Sequence, residues 1–344
     1  MSQDSDRAAT IYAVAREAGV STATVSRTLA GSAQVAPRTR EAVLEAVREL
    51  NYLPDGAARA LAGRRTHALG LVLPDIDGPY YAALLVAFEM AASELGLSVA
   101  IALAGQGSQP ERAVRRLAGN VDGLAFMARS SAEDSLIAEV AKRKPVVTAA
   151  RARIPGRDAL FAENHATAAR LTRHLLETGR RRLAFVGRPE EHSDVGARHR
   201  GFEAALAEAG LEPALLMEVD SVESEGLAVA RRVVQERLEL DAVVCGNDEL
   251  ALALMHELQD LGVDVPGDIA VVGWDDVIAA RYVRPGLTTV AQPVDELGAL
   301  AARRLAALID GDEAAAEPVV LPSRIVHRAT CGCDAPGAEL EASP

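Results

Sequence analysis

The sequence predicts a multi-domain chain: an all-α helix-turn-helix head followed by an α/β body of two doubly wound parallel-sheet subdomains. Three observations predict this. Residues 10–31, TIYAVAREAGVSTATVSRTLAG, read as two short helices joined by a tight turn. From residue 67 onward, continuous apolar strands alternate with helical stretches, the pattern of parallel sheets covered on both faces. That alternation runs as two successive series, and hence as two subdomains.

The composition agrees. The chain has 344 residues, 49% hydrophobic and 25% charged, as expected of a globular protein long enough for more than one domain. The net charge of -13 speaks against nucleic-acid affinity of the whole molecule. Its distribution does not: residues 10–65 hold eight Arg against five carboxylates, a net of +3, which leaves -16 on the remainder. A basic head on an acidic body fits a nucleic-acid reader joined to a sensing domain. The polar, acidic residues 1–9 lack the basic and apolar regions of a secretory signal and are expected to be disordered. No apolar run reaches the length of a membrane span, so a cytoplasmic chain with no membrane partner is expected.

Within the head, Thr10 is placed to cap a first helix over residues 11–18, and Gly19 breaks it. Ser21 caps a second helix over 22–29. Val14, Val20, Val25 and Leu29 recur at helical spacing and should close inward. Thr22, Ala23, Ser26 and Arg27 share the opposite face, which is short and polar apart from one Arg. Pro37 suits the first turn of a third helix to about Leu50, striped by Val43, Leu44, Val47 and Leu50. A core this small is marginal alone. Pro54 stops that helix, and residues 55–61, DGAARAL, make a further helix of barely two turns that needs a partner surface to form. Residues 10–54 are thus assigned to the head and 55–65 to a hinge helix and linker.

In the body, HALGLVLPDI, LSVAIALAG, VDGLAFMA and PVVTAA form the first series of strands, and RLAFVGR, LLMEVD, AVVCGND and IAVVGWDD the second. LTTVAQP, a helix over about 294–309 and PVVLPSRIVHR complete residues 66–329. Residues 330–344, rich in Gly, Pro, Ala and acids, are expected to be disordered. Cys245 lies in an apolar run and reads as core. Cys331 and Cys333 form a CxC with no second pair at metal spacing, so no metal site and no cofactor are expected. His165, His174, His192 and His199 are scattered and read as surface residues. No phosphate-binding glycine loop or nucleophile elbow supports an enzyme.

These motifs, in this order, resemble the lactose-repressor (LacI/GalR) family of bacterial transcription regulators over roughly residues 10–328. The carriers are the helix pair, LNYLPDGAARALAG, LGLVLPDIDGPYY, TGRRRLAFVG, ARHRGF, CGNDELALAL, VPGDIAVVGWDD and PGLTTVAQP. The resemblance implies a homodimer, with a tetramer left open, that acts as a repressor on a palindromic operator. It implies base-edge contacts from Thr22, Ala23 and Arg27, phosphate or positioning contacts from Ser21, Thr24, Ser26 and Asn51, and Thr10 and Tyr52 as further DNA-binding residues. It also implies paired hinge helices in the minor groove, with Ala57, Ala58 and Ala60 allowing close approach, Arg59 meeting backbone or groove floor, and Leu61 wedged between base pairs.

For the body, the resemblance implies the periplasmic sugar-binding fold, with the chain crossing between subdomains near Leu160, Val290 and Leu321. The N-subdomain would hold residues 66–160 and 291–321, and the C-subdomain 161–290 and 322–329. An effector, of the sugar class, would occupy the cleft and meet Arg198, Asn247 and Asp275, with Asp75, Asp77, Tyr80 and Gln292 as further contacts; Trp274 either stacks on the effector or packs beneath the cleft. Asp276 reads as structural. Two positions depart from the family pattern: Ala150, followed by Arg151, stands where many relatives carry Asp or Asn, and Ser221 where several carry a stacking aromatic.

Overall fold

The computed structural model describes residues 10–29, 34–52, 65–76, 78–105, 109–151, 153–190 and 193–333, and the backbone of 339–340. The expected disordered start, the hinge segment with Ala57, Ala58, Arg59 and Leu61, and Asp77 lie outside the described residues. The chain divides into two units, Met1–Thr66 and His67–Pro344.

The first unit contains α1 (Ile11–Glu17), α2 (Thr22–Leu29) and α3 (Pro37–Glu49). Thr10 Oγ1 accepts from the Ala13 amide at 3.3 Å, and Ser21 Oγ accepts from the Thr24 amide at 3.2 Å, so each helix start has a side-chain acceptor for an otherwise orphaned N–H. Gly19 takes φ +64, which reverses the chain between α1 and α2, and the Val20 amide closes the turn on the Ala15 carbonyl. Val14, Val25 and Val43 are fully buried at the centre with Ala15 and Ala46; Ile11, Val20, Leu29, Val47, Leu50 and Tyr52 pack around them. Leu44, expected in this stripe, stands exposed, because position 44 lies one step round the helix from the buried Val43.

The second unit opens with β1 (Ala68–Leu73), α4 (Pro79–Glu94), β2 (Ser98–Leu103), α5 (Pro110–Ala118), β3 (Gly123–Met127), α6 (Asp134–Ala141), β4 (Val146–Ala149) and β5 (Asp158–Ala162). There follow α7 (His165–Glu177), β6 (Leu183–Val186), α8 (Asp194–Glu208), β7 (Leu215–Met217), α9 (Glu223–Gln235), β8 (Ala242–Cys245), α10 (Asp248–Asp260) and β9 (Ala270–Val272). The chain ends with α11 (Ala279–Tyr282), β10 (Thr289–Ala291), α12 (Val294–Asp310), β11 (Val319–Leu321), β12 (Arg324–Val326) and β13 (Glu339–Leu340).

Two parallel sheets result, in the orders β11-β5-β4-β3-β1-β2 and β7-β6-β8-β9. The pleat sorts their side chains. In the first sheet Leu69, Leu71, Leu73, Ala125 and Met127 pack under α4 and α12, while Val72, Leu124 and Phe126 pack under α5 and α6. In the second, Ala184 and Val186 face α9 and α10, while Leu183 and Phe185 face α7 and α8. Both faces of each sheet are therefore apolar, which is why the strands read as continuous hydrophobic runs. At Gly298 of α12 a Cβ would stand 2.5 Å from the Leu84 carbonyl, so the absence of a side chain there lets α12 lie against α4.

The chain leaves the first sheet after β5, returns between β10 and α12, and leaves again between β11 and β12. β10 and β12 pair antiparallel, Thr289 opposite Val326, so the second and third crossings run side by side. Among the described residues no helix is long and apolar enough to cross a membrane.

The expected disorder from residue 330 is corrected. Residues Ala329–Cys331 form a 3₁₀ turn, with Thr330 and Cys331 fully buried. Thr330 Oγ1 accepts from the Thr288 amide at 2.8 Å, and Glu339–Leu340 pair with β12. The polar composition masked a few residues that the second sheet's core covers.

The head has little core to spare. Replacing Val25, at its centre, removes two methyl groups and leaves a void, a loss of about 2 kcal/mol. Val25→Ala is expected to melt the head selectively. Circular dichroism should show the loss of the head's helices, while the thermal transition of the body stays in place.

Candidate functional site

A cleft of about 690 Å³ opens between the two sheets of the second unit. One wall carries Asp75, Tyr80, Arg129, Ser130 and Arg151; the other carries Asp194, Arg198, Ser221, Asn247 and Asp275; Gln292, on the second crossing, lies between them. The lining comes mostly from carboxyl ends of strands and the first turns of the helices that follow, as a doubly wound sheet dictates.

Arg198 projects from the second turn of α8 and is only 5% exposed. Its Nε donates to Asn164 Oδ1 at 2.8 Å and its Nη1 to the Gly246 carbonyl at 2.6 Å, which locks the guanidinium in place. Beneath it lies Trp274, with the guanidinium carbon 4.6 Å from the ring centroid. Trp274 is fully buried and does not line the cleft, so of its two expected places the structure gives the one beneath the cleft, and its place among the effector contacts is corrected. The GWDD turn points Trp274 inward as the platform for Arg198 and Asp275 outward.

Asp275 takes φ +121 and Asp276 φ +51, left-handed conformations in which a residue with a Cβ is strained. The Asp275 amide donates to the Val290 carbonyl at 2.8 Å, and its Oδ1 accepts from Gln292 Nε2. Asp276 turns away, pairing with Arg328 and Arg281, in keeping with a structural role. Asn247 caps α10, its Oδ1 accepting from the Leu250 amide at 3.1 Å while its Nδ2 donates to the Ser221 carbonyl at 3.4 Å. It both shapes the wall and lines it.

Tyr80 begins α4 on the facing wall, packed edge-on against Tyr81 with centroids 5.1 Å apart. Its hydroxyl is buried without a partner among the described residues, as is Gln292 Oε1. Unmet hydrogen-bonding groups of both kinds thus stand in the cleft, an arrangement completed by a ligand or solvent rich in hydroxyls. Ala150 sits at φ +56, a conformation Asn and Asp adopt more readily, and it leaves the wall apolar at that point. Arg151 beside it donates to Ser130 Oγ at 3.0 Å and to Asp134 Oδ1 at 2.7 Å, so it braces the loop after β3.

The structure adds Asp194, Arg129, Ser130, Arg151 and Glu249 to the expected lining. Asp194 had a signal in the sequence, an acid directly after the Ser193 cap of α8. Arg129, at φ +58 just beyond β3, had none.

Burial pushes the carboxyls up: Asp275 to about 7 and Asp194 to about 6, with Arg198 opposing the rise in both. Tyr80 is raised for the same reason, and further by the nearby Asp194.

On the head, Thr22, Ala23, Ser26 and Arg27 lie on the face of α2 away from the buried Val25, and Ala23 and Arg27 are exposed. Arg27 Nε donates to the Ala23 carbonyl at 3.2 Å. Ser21 Oγ and Thr24 Oγ1 lie 3.0 Å apart, engaged with each other and with the cap. Asn51 is exposed at φ +47, whereas Tyr52 packs its ring against the head's core.

Residues 10–55 match the family described as bacterial regulatory proteins, lacI family, and residues 172–331 match a periplasmic binding protein-like domain. The chain is 33% identical over 327 residues to catabolite control protein A of Priestia megaterium, covering 93% of this chain and 98% of that one. Its fold is similar to the lac repressor dimer bound to operator and the anti-inducer ONPF, with TM-score 0.84 and 27% identity over 94% of this chain and 99% of that one. It is also similar to a complex of the transcriptional regulator CelR with cellobiose, with TM-score 0.71 and 32% identity over 94% and 99%.

The raised Asp275 carboxyl makes stability depend on pH. Its proton is held more tightly in the fold than in the unfolded chain, so its stabilisation is complete below about pH 4 and lost as pH rises through about 7. Asp275→Asn removes that titration. The stability of the native protein relative to Asp275→Asn should therefore fall between these pH values, by on the order of 4 kcal/mol. Parallel urea titrations of the ligand-free proteins would measure the trend.

Proposed function

Because the chain belongs to the lacI family of bacterial regulatory proteins, we propose that this transcriptional regulator is a repressor whose operator affinity is set by a sugar-class effector held in the cleft. The observation that carries the effector reading is the cleft's hydrogen-bonding inventory. A fixed Arg198, the carboxyls of Asp275 and Asp194, the Asn247 amide and the unpartnered Tyr80 hydroxyl converge on one space. Such a set suits adjacent hydroxyl groups, each of which both donates and accepts. The carboxyls around Arg198 disfavour an anionic ligand, and the cellobiose carried by the similar CelR structure supports the choice of class.

Two copies of the chain would read a palindromic operator, as dyad symmetry requires. The lac repressor structure supports this, being a dimer on its operator. The exposed apolar Val86 and Met90, one turn apart on α4, supply surface for self-association. Arg27, Ala23 and Thr22 would meet base edges, with Ser21, Thr24, Ser26, Thr10 and Asn51 positioning the head on phosphates. Tyr52 would act by supporting the head from beneath, since its ring is part of the core packing. Residues 55–61 would fold as a hinge helix against DNA, with Leu61 as a wedge.

Electrophoretic mobility shifts on a palindromic operator, with and without sugars selected by thermal shift, test the reading. Leu61→Ala should weaken specific operator binding by tenfold or more while the body's melting temperature holds; an unchanged affinity would remove the hinge assignment. Asp275→Ala should bind operator normally yet lose the sugar response. A retained response would take Asp275 out of the site.

A further inference from the structure

Away from the cleft, the second subdomain gathers four side chains that the regulatory function does not use. His174 lies in the last turn of α7, His327 directly after β12, and Cys331 and Cys333 in and just beyond the 3₁₀ turn. One ligand atom from each, two imidazole nitrogens and two sulfurs, lies within 4.8 Å of all the others. His327 and Cys331 are buried; His174 and Cys333 are half-buried. The two rings meet edge to face with centroids 4.2 Å apart, and the two sulfurs lie 3.0 Å apart.

We propose that His174, His327, Cys331 and Cys333 form a structural zinc site that ties the chain's end to α7. Three observations support it. The donor set, two thiols and two imidazoles, is one that zinc closes tetrahedrally. The polar atoms need a partner: His174 Nε2 and both nitrogens of His327 are buried without one among the described residues. The geometry is nearly in place, because two thiolates on one zinc stand about 3.8 Å apart, so the sulfurs need to separate by less than about 1 Å.

On binding, the two thiol protons leave to solvent and the two thiolates balance the charge of the dication, with no change of oxidation state. Four protein ligands leave no open position, so the site holds structure and performs no chemistry. It joins the segment that follows the third crossing to α7, although His174 and His327 are far apart in sequence. The sequence hides it for that reason: the CxC shows at a glance, but its histidine partners come together only through the fold.

The test uses the full-length protein, reduced and freed of metal by chelation, titrated with Co(II) and then Zn(II). One equivalent of cobalt per chain should give the intense visible absorption of tetrahedral thiolate coordination, and zinc should bleach it and raise the melting temperature of the body. The double variant Cys331→Ser, Cys333→Ser should lose the absorption and the zinc-dependent shift. His174→Gln, at a half-buried position that tolerates an amide, should weaken binding by about tenfold or more while circular dichroism stays native. A wild-type chain with no such absorption, equal binding by the double variant, or a Cys331–Cys333 disulfide retained by the native protein in mass spectra would each overturn the proposal.

Discussion

The Asp248 carboxylate is fully buried at the first turn of α10, and the far wall of the cleft is assembled around it. Its Oδ2 accepts from the Val277 amide at 2.9 Å, its Oδ1 accepts from the Thr289 hydroxyl, and its own amide donates to the Trp274 carbonyl at 2.7 Å. One residue thus holds both ends of the 274–277 turn, Trp274 through its amide and Val277 through its carboxylate, and the same carboxylate ties the turn to the start of β10. Burial pushes its pKa up to about 6, and those two hydrogen bonds offset part of the cost. Gly273 is part of the same arrangement, because a Cβ there would stand 2.1 Å from Asp248 Oδ1. With the clamp in place, the turn has one choice: Trp274 goes under Arg198, and Asp275 goes into the cleft despite its strained φ.

Much of this was legible in the sequence, for identifiable reasons. Sheets buried on both faces need uninterrupted apolar strands, and such runs are hard to mistake over two full series. The head's helices announced their ends through Thr10, Gly19, Ser21 and Pro37, each of which does its expected local work. Arg198, Asn247 and Asp275 stood in motifs long enough to place, and the structure brings all three to one cleft. What stayed hidden depends on direction or distance. Whether Trp274 or Asp275 faces the ligand turns on a single backbone reversal that Asp248 enforces from elsewhere in the chain. The Thr330–Cys331 segment looked like a polar tail because composition averages over residues, whereas burial acts on individual side chains.

The three crossings give the cleft a mechanical character. β10 and β12 pair side by side, so two of the connections form a ribbon and cannot bend independently. Gln292 lies just beyond that ribbon and donates to Asp275, linking the crossing to the floor of the cleft. A ligand bonded to Tyr80 on one wall and to Arg198 on the other would therefore act against a constrained hinge. Its differential affinity for closed and open geometries is then the whole source of any signal, as population shift requires. A ligand confined to one wall would bind without transmitting anything.

Charge separation decides what such a signal can control. The head segment carries +3 and the remainder -16, so nucleic acid is attracted to one end of the chain and repelled by the rest. A net of +3 per head neutralises few phosphates, and the non-specific part of the affinity is correspondingly small. In the proposed reading, binding would rest on two heads engaging together and on what residues 55–61 add. A small core makes the head marginal, and the hinge proposed over residues 55–61 would be conditional on a partner surface. In the proposed mechanism, such weak, mutually dependent contacts would let a modest change in the body, on the order of 1–3 kcal/mol, move the operator between bound and free. A strongly basic, independently stable head would bind more tightly and could not be switched.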